Sequence, residues 1–234
     1  MSGATSYIEP EEKVNIPTVY LIDDSIFDLK TYQNRFRELL PSTIKVEGLL
    51  VYPKVDDYLP LLQDENTVCI ITDQRMKNTG VANYTGIELA KFLRRTNSKL
   101  PIYILSSFTE AHDEFGDDEW SVEAIINKGE LSNPVEGRTV AARLVRRIDV
   151  YQDIKDTREA RFDELLKKSL DNKLSEGEET ELEALQLQRI SPALAIELAH
   201  LNQLNQILKA HETIMNRLEH IDGVEGDQKN ASKS

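Results

Sequence analysis

The sequence contains few of the features that would argue against a soluble, globular protein. The single cysteine, Cys69, excludes an intramolecular disulfide, and its place in the apolar run 68–71 predicts a buried thiol in a reducing cytoplasm. No apolar run approaches the ~18 residues that a membrane-spanning helix needs, and the N-terminus lacks the pattern of a secretion signal. Glycine and proline are also scarce, with 10 and 8 residues, which argues against wholesale disorder.

Positive charge is the other deficit. Lysine and arginine number 28 against 41 aspartates and glutamates, which gives a net charge of −13 with neutral histidines. Such a surface repels phosphate backbones and anionic lipid headgroups, so it argues against nonspecific binding to nucleic acids or membranes. The 234 residues exceed the ~100–150 of a typical domain, so we expect two units or one domain with an extension.

The first 150 residues alternate between short apolar runs and amphipathic segments, after a polar start at 1–15 that we expect to be disordered. Uniformly apolar, β-branched runs are typical of parallel strands covered by helices on both faces. The strand candidates are 19–22, 44–51, 67–72, 101–105 and 122–126, and the helix candidates are 25–40, 55–62 and 86–95. The pattern predicts a doubly wound α/β domain with a five-stranded parallel sheet over 16–150.

After the sheet domain the sequence contains only helical patterns, which predicts an all-α region over 151–221. One amphipathic helix is expected over 139–170, across the domain boundary, with no Pro or Gly to interrupt it. A capping box at Ser175 predicts the start of a second helix. Ser191 followed by Pro192 predicts an N-cap and a first-turn proline for a third.

The third predicted helix has a broad apolar stripe with heptad spacing. Its members are Leu194, Leu201, Leu204, Leu208, Met215 and Leu218. The stripe either packs on the other helices of the same chain or forms a homodimer, as a coiled coil or a two-chain bundle. Glu197 and His211 occupy d-like positions and weaken a pure coiled coil, so both alternatives stay open. After the stripe, residues 222–234 are predicted to be a disordered tail.

Chemically active side chains stand at the ends of the predicted strands. They are Asp23 and Asp24 on the first strand, Asp73 on the third, Ser106 on the fourth and Lys128 after the fifth. Because the carboxyl ends of parallel strands meet at one edge, we expect one pocket there. Mg²⁺ would relieve the repulsion among the carboxylates and keep waters for an incoming phosphoryl group. The set predicts phosphoryl transfer, with Asp73 as nucleophile and Lys128 and Ser106 stabilising the transferred oxygens.

Five sequence motifs resemble those of bacterial response-regulator receiver domains. They are VYLIDDS at 19–25, ITDQRM at 71–76, GIELA at 86–90, ILSS at 104–107 and INKGE at 126–130. The resemblance covers about residues 16–150 and implies a flavodoxin-like fold in a two-component phosphorelay.

The resemblance also implies roles for the residues at the strand ends. A histidine kinase would phosphorylate Asp73, and Asp23, Asp24 and Asp73 would bind Mg²⁺ as the cofactor. Ser106 and Lys128 would stabilise the phosphoryl group and operate the switch. Such a protein accepts and hydrolyses a phosphoryl group on itself and is otherwise not an enzyme.

Three positions depart from the family pattern. Gly129 stands where a proline usually follows the lysine, and Lys77 where a proline often follows the aspartate. Ile125 replaces the aromatic residue that couples phosphorylation to the output surface in many receivers, so we expect coupling through repacking of Ile125. The loop over 77–84 is also longer than the family norm. It is either a lid or a solvent-exposed insertion, and the low cost of added loop length favours the insertion.

The helical region argues against DNA binding, the commonest output of the family. Residues 151–234 carry 11 basic against 17 acidic side chains, and the predicted second helix, 176–189, has five glutamates and one arginine. An acidic segment over 110–123 is either a solvated face or a binding face for a protein partner. We predict a cytoplasmic response regulator with a helical dimerisation or protein-interaction module. The alternatives are a DNA-binding transcription regulator with an atypical helical output and a degenerate receiver that acts as a scaffold.

Overall fold

The computed structural model describes the backbone of residues 15–107 and 121–231, and the side chains within these ranges as far as residue 217. Several predictions fall outside the described residues. They concern the polar start 1–14, most of the acidic segment 110–123, the end of the tail at 232–234 and the side chain of Leu218.

Five parallel strands form one sheet in the order β2-β1-β3-β4-β5. The strands are β1 Thr18–Asp23, β2 Lys45–Leu50, β3 Thr67–Asp73, β4 Ile102–Ser106 and β5 Ala124–Asn127. Each lies within one or two residues of its predicted range, so the predicted doubly wound fold is confirmed. The strand order reverses between β1 and β3, and the crevice at such a switch point is where ligands bind in open α/β sheets.

Helices cover both faces of the sheet. Among the described residues before Pro134 they are α1 Ile26–Leu39, α2 Leu59–Gln63, α3 Gly86–Thr96 and α4 Lys128–Ser132, and a 3₁₀ turn at Val55–Tyr58 precedes α2. The N-terminus of α1 is capped by Ser25, and that of α3 by a capping box of Thr85 and Glu88. The buried side chains form one apolar cluster around Phe36 and Leu144 and another around Tyr58 and Leu93.

Helix α5, Pro134–Leu170, belongs to both parts of the chain. Its 37 residues make a rod about 55 Å long. The first half packs on the sheet through Val140, Leu144 and Ile148, which are all buried. Farther on, Lys155 Nζ donates a 2.7 Å hydrogen bond to the carbonyl oxygen of Glu65, so the second half is also tied to the sheet domain. The predicted helix over 139–170 is part of this rod.

A short turn reverses the chain after α5 and leads into α6, Glu176–Ala231. The predicted capping box is confirmed, because Ser175 N donates to Glu178 Oε2 at 3.1 Å and Glu178 N donates to Ser175 Oγ at 3.4 Å. Leu165 and Leu182 are buried between the two helices. Within the described residues no helix is both long and apolar enough to cross a membrane.

The prediction of a third helix starting at 191–192 is wrong, because α6 runs through Pro192 without a break. A proline inside a helix removes one backbone hydrogen bond and costs about 3 kcal/mol relative to alanine. Pro192 is partly buried where α6 lies against α2 and α3, and this packing offsets the loss. The helical backbone also continues to Ala231, past Ile221, where the sequence predicts disorder.

Helix α6 has two different faces. The inner face is partly or fully buried and consists of Leu182, Leu185, Pro192, Ile196 and Ala199. The outer stripe is exposed and consists of Leu187, Ile190, Leu194, Leu201, Leu204, Leu208 and Met215, whose exposed fractions lie between 43% and 60%. The outer stripe contains the five described members of the predicted heptad stripe, and these side chains are exposed in the single chain.

Candidate functional site

The side chains at the ends of β1 and β3 meet beside the switch point of the sheet. Asp23 ends β1, Asp73 ends β3, and both are buried. Lys128 begins α4 immediately after β5, and its Nζ lies 2.8 Å from Asp73 Oδ1 and 3.5 Å from Asp23 Oδ2. Three of the five residues predicted from the strand ends therefore form one compact group.

The loop after β3 holds the second carboxylate oxygen of Asp73. Arg75 N donates a 2.6 Å hydrogen bond to Asp73 Oδ2. The next contacts tie the loop to α3, because Gly86 N donates to the carbonyl oxygen of Gln74 and Ile87 N donates to Gln74 Oε1. Gln74 is 4% exposed, so its amide is a buried link between β3 and the start of α3. These contacts fix the position of the Asp73 carboxylate.

Gly86 is in close contact with the site, and Gly86→Ala is expected to lower the free energy of unfolding by about 1–3 kcal/mol. A Cβ at this position would overlap the backbone carbonyl oxygen of Asp73. The intrinsic preference of helices for alanine, about 1 kcal/mol, does not offset that overlap. Urea unfolding measures the change. Gly177→Ala in α6, where a Cβ would meet no atom within 4 Å, is the matched control and should not destabilise the protein. Equal behaviour of the two variants would contradict the prediction.

Asp23 has one satisfied and one unsatisfied oxygen. Oδ1 accepts a 2.8 Å hydrogen bond from Ser25 N, whereas Oδ2 is buried and accepts none. The 3.5 Å separation from Lys128 is an ion pair but too long for a good hydrogen bond. Burial raises the pKa of Asp23 to about 6; the hydrogen bond from Ser25 opposes the rise, and the charge of Asp73 adds to it. Asp23 therefore carries an oxygen without a donor at the edge of the pocket.

Lys128 lies among acidic and aromatic groups. Burial alone lowers its pKa, but the hydrogen bond to Asp73 and the charges of Asp73 and Asp23 outweigh burial, so the pKa is raised above its ordinary value. Asp28 Oδ2 is 3.6 Å from Nζ, and the Tyr32 ring centroid is 5.1 Å from it. Sequence reasoning missed these two residues, although their spacing of four places them on one face of α1.

Lys128→Met is expected to reduce the free energy of unfolding by about 3 kcal/mol. The substitution keeps the volume but leaves the carboxylates of Asp23 and Asp73 close together and buried without their cation. Urea unfolding at pH 7 without divalent cations measures the loss. Lys45→Met removes a surface lysine paired with Glu47 and should cost less than about 1 kcal/mol. Similar losses for both variants would show that the buried group does not depend on Lys128.

Asp24 is held by the loop over 77–84. Its Oδ2 accepts a 3.2 Å hydrogen bond from Thr79 N. Ala82 and Tyr84 of the loop are buried, and the Tyr84 hydroxyl donates to the carbonyl oxygen of Tyr52. The loop is exposed along most of its length, as expected of an insertion, and it is also anchored in the sheet domain by Ala82 and Tyr84 and contacts Asp24 of the acidic pair. Composition cannot reveal this, since the anchoring contacts join segments far apart in sequence.

The remaining predicted positions lie along β4 and β5. Ser106 is buried at the end of β4, where it pairs in register with Asn127. Ile125 is half-buried and packs against Ile87 and Ile104. Glu123, the one described acidic residue of the segment 110–123, forms ion pairs with Arg94 at 3.5 Å and Arg147 at 2.8 Å. The Glu123 carboxylate is therefore paired with arginines of the same chain.

The donor set fits a magnesium ion only in part. Among the described residues no group of three or more His, Cys, Asp and Glu side chains is arranged to hold a metal ion. The unsatisfied Asp23 Oδ2 is nevertheless an acceptor that lacks a donor, and Mg²⁺ in phosphoryl-transfer sites commonly uses one or two carboxylates together with waters and phosphate oxygens. Of the described oxygens at this site, Asp23 Oδ2 is therefore the one that would contact such an ion.

A separate cleft lies away from this pocket. It has a volume of about 780 Å³ and is lined by parts of α2, α3, α5 and α6. None of the predicted site residues lines it. Its size therefore carries no information about chemistry at Asp73, which depends on the group at the strand ends.

Solved structures similar to this chain include receiver domains. One is the response regulator TrrA of Thermotoga maritima in complex with magnesium and BeF, with 16% identity, a TM-score of 0.42, and 54% of this chain and 97% of that chain covered. Another is the non-phosphorylated HemR receiver domain of Leptospira biflexa, with 19% identity, a TM-score of 0.40, and coverage of 56% and 94%.

A third is the signal receiver domain of an HD domain-containing protein from Pseudomonas fluorescens, with 11% identity, a TM-score of 0.46, and coverage of 67% and 98%. No protein-family model matches the chain, and no curated protein matches it. The structural matches to receiver domains thus cover the N-terminal part of the chain, and the helical C-terminal part has no identified output function.

Proposed function

We propose that this chain is a response regulator of a two-component phosphorelay, with a receiver domain over about 16–150 that is phosphorylated on Asp73 by a histidine kinase. The motifs at the strand ends support the proposal. The observation that carries it is the environment of Asp73, whose two oxygens contact the Lys128 ammonium and the Arg75 backbone N–H beside the switch point of the sheet. The bond from Arg75 N to Asp73 Oδ2 is that of an Asx turn, whereas Oδ1 contacts the Lys128 ammonium, and a buried carboxylate beside a cation is a candidate for chemistry on a charged substrate.

In the proposed step a carboxylate oxygen of Asp73 forms a bond to the phosphorus of the donor. The bond from phosphorus to the leaving group breaks, and the leaving group departs with the electron pair. Lys128 stays close to the oxygens of the acyl phosphate and neutralises their charge, and Ser106 donates a hydrogen bond to them. A bound Mg²⁺ would supply further charge neutralisation at the transferred group. Water later attacks phosphorus, the bond between phosphorus and the Asp73 oxygen breaks, and inorganic phosphate leaves Asp73 as its free carboxylate.

The test uses the full chain and acetyl phosphate, a small donor that replaces the kinase. With Mg²⁺ present, we expect an acid-stable, base-labile acyl phosphate that peptide mapping locates at Asp73, and we expect little labelling in the presence of EDTA. Beryllofluoride with Mg²⁺ should compete with labelling. Labelling at another residue, or no labelling with acetyl phosphate and Mg²⁺, would overturn the proposal and favour the degenerate receiver that acts as a scaffold.

The proposal for the helical region is a dimerisation or protein-interaction module that does not bind DNA, in a protein that stays in the cytoplasm and acts on no other substrate. The exposed outer stripe of α6 supports it, because a soluble helix seldom leaves a long apolar face uncovered. The acidic balance of 151–234 argues against DNA. A salt-dependent shift of labelled DNA that is lost on removal of 151–234 would instead support the DNA-binding alternative.

A further inference from the structure

The outer stripe of α6 needs a partner that the chain itself does not provide. Its described members extend from Leu187 to Met215, a distance of about 42 Å along the helix. The second half of the stripe lies past Ala199, the last fully buried residue of α6, and the side chains from 204 to 217 are exposed on every face. A free helix of this kind is marginal in water, so its stability depends on contacts with another surface.

The two faces of α6 follow one heptad register. When Leu187, Leu194, Leu201, Leu208 and Met215 are assigned to position a, Ile190 and Leu204 fall at position d. The inner face then occupies positions c and f, on the opposite side of the helix. The sheet domain therefore covers the side that a coiled coil leaves free, and Leu187, at the start of the outer stripe, borders the cleft between α6 and the sheet domain. A second copy of the helix can cover the outer stripe without displacing the sheet domain.

Glu197 and His211 discriminate between the two orientations of such a pair. Both are d residues, so a parallel pair in register would place each one against its own copy, with two carboxylates facing each other at Glu197. An antiparallel pair places a residues opposite d residues. With the two-fold axis between Leu201 and Leu204, Glu197 comes within one layer, about 4.5 Å along the axis, of the partner's His211. An imidazole N–H there can donate to the carboxylate.

We propose that two copies of the chain pair through their outer stripes as an antiparallel coiled coil centred between Leu201 and Leu204. Each projecting half, from 204 onward, lies along the half of the partner helix that is packed on a sheet domain. Seven exposed apolar side chains on each copy line the pair, and the approach of Glu197 to the partner's His211 adds complementary polar groups between the two copies. This inference rests on the dimerisation part of the proposed function and is independent of phosphorylation at Asp73.

The test cross-links single cysteines placed on the outer stripe of the full chain. In the antiparallel pair Ile190 lies in the same layer as Met215 of the other copy, whereas the two Ile190 side chains are about 38 Å apart along the axis. Ile190→Cys and Met215→Cys chains with different tags are co-expressed, purified and oxidised, or treated with a short bismaleimide. Both positions are exposed, so the substitutions should not disturb folding, and the native Cys69 is fully buried.

We expect cross-links between Ile190→Cys and Met215→Cys chains and none within either variant alone. Gln206→Cys, an exposed f position near the proposed axis, should not cross-link with itself and controls for random collisions. Cross-linking of Ile190→Cys to itself would establish a parallel pair and overturn the orientation. A dimeric mass without the cross-link between Ile190→Cys and Met215→Cys chains would overturn the proposed register. A monomeric mass would overturn the pairing altogether. None of these results affects the acyl-phosphate test, so the two proposals fail separately.

Discussion

Asp73→Asn is expected to take up no phosphoryl group from acetyl phosphate under conditions in which the wild type is labelled. The amide keeps the size of the carboxylate, but its neutral oxygen is too weak a nucleophile to attack phosphorus. The change also removes one of the negative charges that Lys128 balances. We expect labelling to fall by at least about 10³-fold, a difference of roughly 4 kcal/mol in the activation free energy.

Asp28→Asn is the matched control for this result. Asp28 also forms an ion pair with Lys128, at 3.6 Å, but its side chain is 42% exposed and lies on α1. The same change of charge at this position should leave labelling within a few-fold of the wild type. Labelling of Asp73→Asn at the wild-type rate would show that Asp73 is not the acceptor. An equal loss in both variants would show that charge balance around Lys128, rather than a nucleophile at Asp73, controls the reaction.

The site residues at the strand ends could be predicted from the sequence because the sheet is parallel. Buried parallel strands are uniformly apolar, so a polar residue at the end of such a run is conspicuous, as with Asp23 after Leu21 and Ile22. Topology then brings distant strand ends together, which is why Asp73 and Lys128 could be placed in one pocket from the sequence. The fold class and the group around Asp73 therefore follow from local patterns and one general rule about open sheets.

The contacts that hold this pocket were not predictable in the same way. Thr79 N reaches Asp24, and Gln74 joins β3 to α3, through hydrogen bonds whose partners depend on the path of a loop. The overlap that a Cβ at Gly86 would cause with Asp73 depends on the same path. Periodicity describes which face of an element is buried, but it does not give the course of an irregular segment between two elements.

The prediction that a new helix begins at Pro192 was wrong because the local sequence preference and the tertiary packing favour different structures there. A serine followed by proline is a good helix start, and α6 nevertheless continues because its inner face packs on the sheet domain at this point. The inner face was also difficult to predict because it contains small residues. Ala199 is buried, but an alanine adds little to the apolar periodicity of the sequence. The leucine-rich side of α6 dominates the sequence pattern, yet it is the side that the chain leaves exposed.

Leu201→Glu combined with Leu208→Glu is expected to convert a dimer into a monomer. Both side chains are more than half exposed in the single chain, so glutamate is tolerated there. In a paired stripe the two substitutions would bury four carboxylates without partners, each at a desolvation penalty of several kcal/mol. The mass from light scattering should fall to that of one chain. The helical signal in circular dichroism should also fall, because the half of α6 after 204 is marginal without a partner.

Gln206→Glu combined with Thr213→Glu is the matched control, since it adds the same charge to exposed f positions of the same helix. This pair should keep the dimeric mass, because neither side chain faces the other copy in either orientation. Dissociation by both pairs would indicate that net charge, and not the outer stripe, controls association. A dimeric mass for Leu201→Glu with Leu208→Glu would place the interface elsewhere on the chain. Loss of the dimer in that variant alone would establish that the apolar side of α6 is uncovered only until a second copy binds.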